Sequence, residues 1–123
     1  MKDNGGGSII NNASIAGHRL NQGGYLYSGA KAAVAHMTRL AGAELGPFNI
    51  RVNALCPGYF PSEMSEAFLA SERGQECVDH FPPRRVGELH ELTGPLLLLA
   101  SDASSYMTGV TLPVDGGHAI RLF

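Results

Sequence analysis

The sequence contains 123 residues, of which 44% are hydrophobic and 16% are charged, a balance that excludes an intrinsically disordered chain. A chain of this length is expected to fold around one hydrophobic core. The formal net charge of -2 gives no electrostatic reason to expect nucleic acid or an anionic membrane surface as a partner.

The first half of the chain has the pattern of a strand, a helix and a second strand. A short apolar run at residues 8–10 predicts a buried strand, and the glycine-rich residues 18–24 predict a loop. Helical spacing of apolar residues then predicts an amphipathic helix from Tyr27 to Leu45, and residues 50–56 predict the second strand. The apolar positions of the helix are Ala30, Ala33, Val34, Met37, Leu40 and Ala41.

The second half begins with a segment of different character. Residues 60–92 mix acidic, basic, aromatic and proline residues, and they predict one short helix at residues 63–69. We interpret this segment as a substrate-binding loop excursion. Leucine-rich residues 91–101 predict a further helix, and residues 110–114 predict a closing strand. The pattern predicts an α/β fold with about three parallel strands and flanking helices, too few strands for a complete doubly wound sheet.

Neither a membrane segment nor a metal site is expected. The longest apolar run, residues 95–100, is far shorter than the roughly 20 residues of a spanning helix, and no apolar signal-peptide core follows Met1. The two cysteines and five histidines lack metal-ligand spacing, which favours free thiols and solvated or helix-surface histidines. We therefore expect a cytoplasmic protein with no metal and no membrane or nucleic-acid partner.

Tyr27 and Lys31 form a candidate catalytic pair. They are four residues apart at the start of the predicted helix, so both side chains lie on one face, one turn apart. An ammonium group favours a nearby phenolate by Coulomb attraction, and a tyrosine in this setting can act as a general acid or base. The spacing alone is also that of an ordinary helix-surface pair.

Ser14 adds a hydroxyl to this pair. It lies where the first predicted strand ends, and the loop that follows leads into the helix of Tyr27. A hydroxyl at this position can hydrogen-bond a substrate oxygen, which makes a serine, tyrosine and lysine set more specific than the pair.

Four short motifs resemble those of short-chain dehydrogenases/reductases, in order and in spacing. They are NASIAG at residues 12–17, YSGAKAA at 27–33, RVNALCPG at 51–58 and VDGG at 114–117. Motifs that occur in the right order are far more specific together than singly. The sequence therefore resembles the C-terminal half of a member of this family, which implies part of a Rossmann-like, doubly wound parallel sheet.

The resemblance also implies a reaction and its residues. The reaction would be hydride transfer between NAD or NADP and an alcohol or carbonyl substrate. Tyr27 would exchange the proton, Lys31 would support Tyr27 and bind the nicotinamide ribose, and Ser14 would orient the reacting oxygen. The residues implied to contact the cofactor are Tyr27, Lys31, Pro57, Gly58, Phe60 and Ser62.

The family's glycine-rich phosphate-binding loop has no counterpart in this sequence. The run at residues 5–7 does not qualify, because no strand precedes it and a strand rather than a helix follows. The residue that selects NAD or NADP would belong to the same absent half. We therefore expect a fragment in which Met1 was internal to a longer enzyme, and at best weak activity from the chain alone.

Other functions remain open at this point. The chain is alternatively a truncated, non-catalytic fragment or an oligomerising module, and chains that exchange elements to complete a sheet would form an obligate oligomer. The resemblance implies a homo-oligomer formed through the helix from Tyr27 to Leu45. Sugar, steroid, acyl and simple alcohol substrates all remain possible, since residues 60–92 show no charge pattern beyond Arg84 and Arg85.

Overall fold

The computed structural model describes residues 1–19 and 24–120, so most of the predicted loop at residues 18–24 lies outside the described residues. The described residues contain three strands that pair in chain order as one parallel sheet, which confirms the predicted α/β architecture. Within these two ranges, none of the helices has the length and hydropathy of a membrane-spanning segment. The strands and α-helices are β1 (Gly7–Asn12), α1 (Tyr25–Leu45), β2 (Ile50–Pro57), α2 (Glu63–Leu69), α3 (Glu72–Asp79), α4 (Thr93–Ala100) and β3 (Thr111–Val114).

Helices pack on both faces of the sheet, because side chains alternate along each strand. On one face, the Asn11 side-chain amide of β1 donates to the Thr38 hydroxyl of α1 at 2.9 Å. On the other face, the Ser8 hydroxyl donates to the main-chain carbonyl of Leu99 in α4 at 2.8 Å. A helix on each face is the arrangement of a doubly wound sheet.

The long helix α1 approaches the sheet through small side chains. A Cβ atom at Gly42 would lie 2.8 Å from the main-chain nitrogen of Gly109, so only glycine permits this approach. The predicted apolar stripe includes Met37 and Leu40, yet these side chains are 60% and 51% exposed. The close approach selects small residues for the buried face, and the larger ones turn outward. The buried residues of α1 are Ala35, Thr38 and Gly42.

Arg51 on β2 ties the sheet to the end of α4. Its Nη1 donates to the Leu99 carbonyl at 3.0 Å and to the Ser104 hydroxyl at 2.7 Å, and its Nη2 donates to the Ser101 carbonyl at 3.0 Å. The last carbonyls of a helix have no intrahelical partners, and a guanidinium satisfies them while complementing the helix dipole.

The buried side chain of Asn53 holds the chain that leads into β3. Its Nδ2 donates to the Met107 carbonyl at 2.8 Å, and its Oδ1 accepts from the Val110 N–H at 3.0 Å. One amide therefore satisfies a donor and an acceptor on the neighbouring segment. β3 is held beside β2 as a result, and the ends of both strands reach the same edge of the sheet.

The segment at residues 60–92 contains more helix than predicted, because α3 is present in addition to the predicted α2. The Ser71 hydroxyl accepts from the Gly74 N–H at 3.1 Å and so caps the start of α3. A Cβ atom at Gly74 would lie 1.9 Å from the Phe68 carbonyl oxygen, so glycine permits α3 to pack against the end of α2. Glycine is a weak helix former, which explains why local patterns missed this helix.

Candidate active site

A cleft of about 1160 Å³ opens at the carboxyl ends of β1 and β2. Ligands of doubly wound proteins bind at this edge of the sheet. The structure brings all seven of the predicted site residues to the wall of this one cleft, although they come from four separate parts of the fold. These residues are Ser14, Tyr27, Lys31, Pro57, Gly58, Phe60 and Ser62.

Ser14 is buried in the turn that follows β1. Its hydroxyl oxygen accepts a hydrogen bond of 3.1 Å from the Ala16 N–H, and its carbonyl accepts from the Gly17 N–H at 3.1 Å. A serine hydroxyl has one donor hydrogen and two acceptor sites, so the bond from Ala16 leaves the donor available. Ser14 can therefore donate to an oxygen atom bound in the cleft.

Tyr27 and Lys31 lie in the first two turns of α1. The Tyr27 side chain is 41% exposed, and the Lys31 Nζ lies 5.7 Å from the centroid of its ring. Lys31 also donates to the main-chain carbonyl of Asn12, at the end of β1, with a distance of 2.9 Å. This bond holds the ammonium group beside the phenol and at the wall of the cleft.

Gly17 determines how closely the Ser14 turn approaches α1. A Cβ atom at Gly17 would lie 2.7 Å from the main-chain carbon of Lys31 and 2.8 Å from the nitrogen of Ala32. Real Cβ atoms do not approach a backbone so closely, so a larger residue would separate the turn from the helix. The glycine of the NASIAG motif therefore brings the serine and the lysine to one site.

Pro57 and Gly58 end β2 in a tightly packed turn. The Gly58 N–H donates to the Val114 carbonyl at 2.9 Å, which extends the pairing of β2 with β3 by one residue. A Cβ atom at Gly58 would lie 2.6 Å from the Cβ of Asp115. The absence of a side chain lets the chain turn towards the cleft directly beside β3.

Phe60 and Ser62 also line the cleft. Ser62 has in addition a structural role that the sequence motifs did not indicate. Its hydroxyl accepts from the Ser65 N–H at 3.3 Å, while the Ser62 N–H donates to the Ser65 hydroxyl at 3.0 Å. This reciprocal pair is a capping box that starts α2. The Phe60 carbonyl accepts from the same Ser65 hydroxyl at 2.7 Å, so the three residues form one unit.

Aromatic rings form a further wall that sequence patterns missed. Tyr59 stacks on Phe68 and on Phe81, with ring centroids 5.5 and 5.6 Å apart. His118 packs edge-on against Phe81, at 4.1 Å between centroids, and against Tyr59 at 5.4 Å. His118 is only 4% exposed, so the prediction of solvated or helix-surface histidines is wrong for this residue. Its position directly after the VDGG motif is the one signal that could have marked it.

Arg19 joins the first loop of the cleft to this aromatic wall. Its Nη1 contacts the Nε2 of His118 and donates to the main-chain carbonyl of His118 at 3.3 Å. A guanidinium has no acceptor atom, so the Nε2 of His118 accepts in this contact. Both residues line the cleft, and they are 99 positions apart in the sequence.

Cys56 lies beneath the site and is fully buried. Its Sγ is 3.5 Å from the Nε2 of His18, a contact that sequence spacing did not indicate. Burial raises the pKa of the Cys56 thiol, while the main-chain N–H of Ser14 and the charge of Lys31 act in the opposite sense. The thiol is therefore held in its protonated form as part of the core. Cys77 is also a free thiol and lies in α3.

The pair Arg84 and Arg85 lies outside the cleft. Arg85 donates from Nη1 and Nη2 to the two carboxylate oxygens of Glu91, each at 2.8 Å. These bonds and the Glu88 N–H lower the pKa of the Glu91 carboxyl to about 2. The ion pair between Arg85 and Glu91 is partly exposed to solvent and stabilises the segment before α4. Neither residue lines the cleft.

Comparison with known proteins identifies the family of this fold and site. The family model described as enoyl-(acyl carrier protein) reductase matches residues 1–119, almost the whole chain. The chain belongs to the short-chain dehydrogenase/reductase family. Among curated members of the family, the cyclohexanol dehydrogenase of Rhodococcus sp. (strain TK6) is 40% identical over 119 residues, which are 95% of this chain and 44% of that protein.

Solved structures of short-chain dehydrogenases/reductases superimpose closely on this chain. A short-chain type dehydrogenase/reductase from Mycobacterium ulcerans has a TM-score of 0.93 and 34% identity, and the match covers 98% of this chain and 44% of that one. A gluconate 5-dehydrogenase from Burkholderia cenocepacia J2315, solved with NADP and tartrate, has a TM-score of 0.92 and 33% identity over 95% of this chain and 46% of its own. This short-chain dehydrogenase/reductase chain thus spans about half the length of the relatives it matches.

Proposed function

We propose that this chain carries the catalytic half of an NAD- or NADP-dependent oxidoreductase that interconverts an alcohol and a carbonyl compound. The observation that carries the proposal is the position of Ser14, Tyr27 and Lys31, which line one cleft at the carboxyl edge of a parallel sheet. A relative of this fold was solved with NADP, which supports a nicotinamide cofactor.

The groups on the cleft wall have the chemistry that the nicotinamide end of such a cofactor requires. The Lys31 ammonium, anchored on the Asn12 carbonyl, keeps further N–H donors for the hydroxyls of a ribose. Pro57, Gly58, Phe60 and Ser62 form the adjoining wall, where the carboxamide and ring would be held. Bound NADH or NADPH supplies the hydride in carbonyl reduction, and the oxidised cofactor accepts it in alcohol oxidation.

Each of the three polar residues has one role in this proposal. Tyr27 gives its phenolic proton to the carbonyl oxygen during reduction and takes the hydroxyl proton back during oxidation. Lys31, whose Nζ lies 5.7 Å from the centroid of the Tyr27 ring, places its ammonium group beside the phenol on the wall of the cleft. Ser14 donates its free hydrogen to the substrate oxygen and so stabilises the charge that develops there.

The segment at residues 60–92 forms the substrate side of the cleft in this proposal. Residues from α2 and α3 line the same cleft as the catalytic set. Tyr59, which also lines it, stacks on Phe68 and Phe81. Residues 1–123 then act as the C-terminal part of a Rossmann-type domain.

Cofactor binding and hydride transfer by the 123-residue chain test the proposal. NADH and NADPH are titrated by calorimetry, and oxidation of either is followed by absorbance with a panel of ketones. We expect saturable binding, and we expect Tyr27→Phe to lower turnover by about 100-fold or more while binding is retained. Tyr106→Phe is the matched control, because Tyr106 is fully exposed and outside the cleft. If neither cofactor binds at millimolar concentration, the chain is not itself an oxidoreductase.

Association through α1 is the second part of the proposal. Met37 and Leu40 are large, apolar and more than half exposed one turn apart on this helix, which supports a contact with a second copy of the chain. We expect a homo-oligomer that Met37→Glu with Leu40→Lys dissociates, as measured by analytical ultracentrifugation. A stable oligomer that binds no cofactor would favour the alternative function, a non-catalytic oligomerising module.

A further inference from the structure

The cleft carries a cationic position that the proposed catalytic set does not use. From it we infer that the substrate carries a carboxylate group and that Arg19 binds this group. The inference rests on the proposed function, because it names the substrate class of the same cleft. Arg19 lines the cleft together with Ser14 and Tyr27, so a substrate whose oxygen reaches these hydroxyls has the guanidinium within the same cavity.

Arg19 has hydrogen-bond donors that it does not use within the described residues. Within the described residues, both of its hydrogen bonds come from Nη1, and both go to His118. The N–H groups of Nε and Nη2 lie on another edge of the planar guanidinium. Two parallel N–H donors match the two oxygens of a carboxylate, and such bidentate pairs combine strength with a defined orientation.

His118 is a rigid anchor for this arginine. Its ring is buried against Phe81 and Tyr59, so it cannot move away from the guanidinium without losing aromatic contacts. The turn that carries it is also fixed, because the Asp115 carboxylate accepts from the Gly117 N–H at 2.9 Å and from the Ala119 N–H at 2.7 Å. A preorganised arginine loses less conformational entropy when it binds a ligand.

The charge of the cleft agrees with an anionic substrate. The whole chain has a formal net charge of -2, yet the charged residues of the cleft wall in the described ranges are three cations and one carboxylate. Cations that line a low-dielectric cleft raise the local concentration of anions. The aromatic wall beside Arg19 suits the carbon skeleton of the same ligand. The charged residues of the wall are Arg19, Lys31, Arg73 and Glu76.

The test compares acids with matched uncharged alcohols on the 123-residue chain. The probes are gluconate against sorbitol, and 4-hydroxycyclohexanecarboxylate against 4-(hydroxymethyl)cyclohexanol, each titrated by two-dimensional NMR of the labelled chain. Inorganic phosphate is a third arm, since an arginine also binds phosphate. The variants are Arg19→Gln, which removes the charge, and Arg19→Lys, which retains it. Arg39→Gln is the control, because this exposed arginine of α1 lies outside the cleft.

We expect at least one acid to bind about tenfold or more tightly than its alcohol, and we expect Arg19→Gln to abolish this preference. Arg39→Gln should retain the preference, and Arg19→Lys should retain part of it. The inference is overturned if no acid binds saturably, if acid and alcohol bind equally, if phosphate binds as tightly as the acids, or if Arg19→Gln changes nothing. NADH binding, measured in the same samples, separates the two proposals: its loss with an intact acid preference contradicts only the proposed function.

Discussion

The ammonium group of Lys31 donates a hydrogen bond of 2.9 Å to the main-chain carbonyl of Asn12, the last residue of β1. A side chain from the long helix is thereby fastened to the end of the strand that leads to Ser14. The two elements that carry the candidate catalytic groups are joined by this bond, and it places the charge beside Tyr27.

Replacement of this lysine should weaken cofactor binding without unfolding the chain. We expect Lys31→Met to lower NADH affinity by about tenfold or more, because a charge-assisted hydrogen bond contributes roughly 1.5–3 kcal/mol. Calorimetry measures the affinity, and circular dichroism checks the fold. Lys2→Met is the matched control, since Lys2 lies over the Phe48 ring and outside the cleft. Equal affinities for the two variants would contradict a cofactor role for Lys31.

Ser14 caps a short helical turn and also points a hydroxyl into the cleft, and one pair of variants separates these roles. We expect Ser14→Ala to lower turnover by about 100-fold, the cost of losing one donor to a developing oxyanion. Its stability should fall by about 1 kcal/mol, as for other capping residues. Ser71→Ala removes the comparable cap of α3. Ser71 itself does not line the cleft, so this variant should lose stability but keep most of its turnover. Recovery of turnover in Ser14→Thr would support a catalytic role for the hydroxyl group. Equal turnover losses in Ser14→Ala and Ser71→Ala would contradict that role.

Alanine substitution of two glycines in neighbouring motifs should change the unfolding free energy in opposite directions. Gly17→Ala places a Cβ atom 2.7 Å from the main-chain carbon of Lys31, so we expect a loss of about 1–3 kcal/mol in unfolding free energy and a displaced Ser14 turn. Gly29→Ala adds a methyl group with nothing within 4 Å on the exposed side of α1, so we expect a gain of about 0.5–1 kcal/mol. Urea unfolding measures both. A neutral Gly17→Ala would show that the turn does not press on the helix.

The two cysteines should differ in reactivity towards a thiol reagent. Cys56 is fully buried, and burial raises the pKa of its thiol, so little of the nucleophilic thiolate is present at neutral pH. Cys77 is only partly buried in α3. We expect Cys77 to react first at pH 8 and Cys56 to react only as the chain unfolds, as followed by mass spectrometry in wild type and in Cys77→Ser. Rapid labelling of Cys56 in folded Cys77→Ser would show that the strand end is accessible.

Local patterns were sufficient to predict the strands, the long helix and the candidate catalytic set. Tyr27 and Lys31 share a helix face by spacing alone, and Ser14 follows a strand, so their proximity depends on few residues. The helix α3 was harder to predict from local patterns. It begins at the Ser71 cap, and Gly74 allows it to pack against the end of α2. That contact involves a glycine, which local propensity counts against a helix.

The family, the order of the elements and the candidate catalytic residues follow from periodicity and short motifs, which are local properties of the chain. The identity of the distant residues around the candidate site depends on tertiary packing. Arg19 and His118 are 99 positions apart and meet because the turns after β1 and β3 lie at the same edge of a parallel sheet. Burial of His118 between aromatic rings likewise depends on packing, which no spacing along the chain reveals.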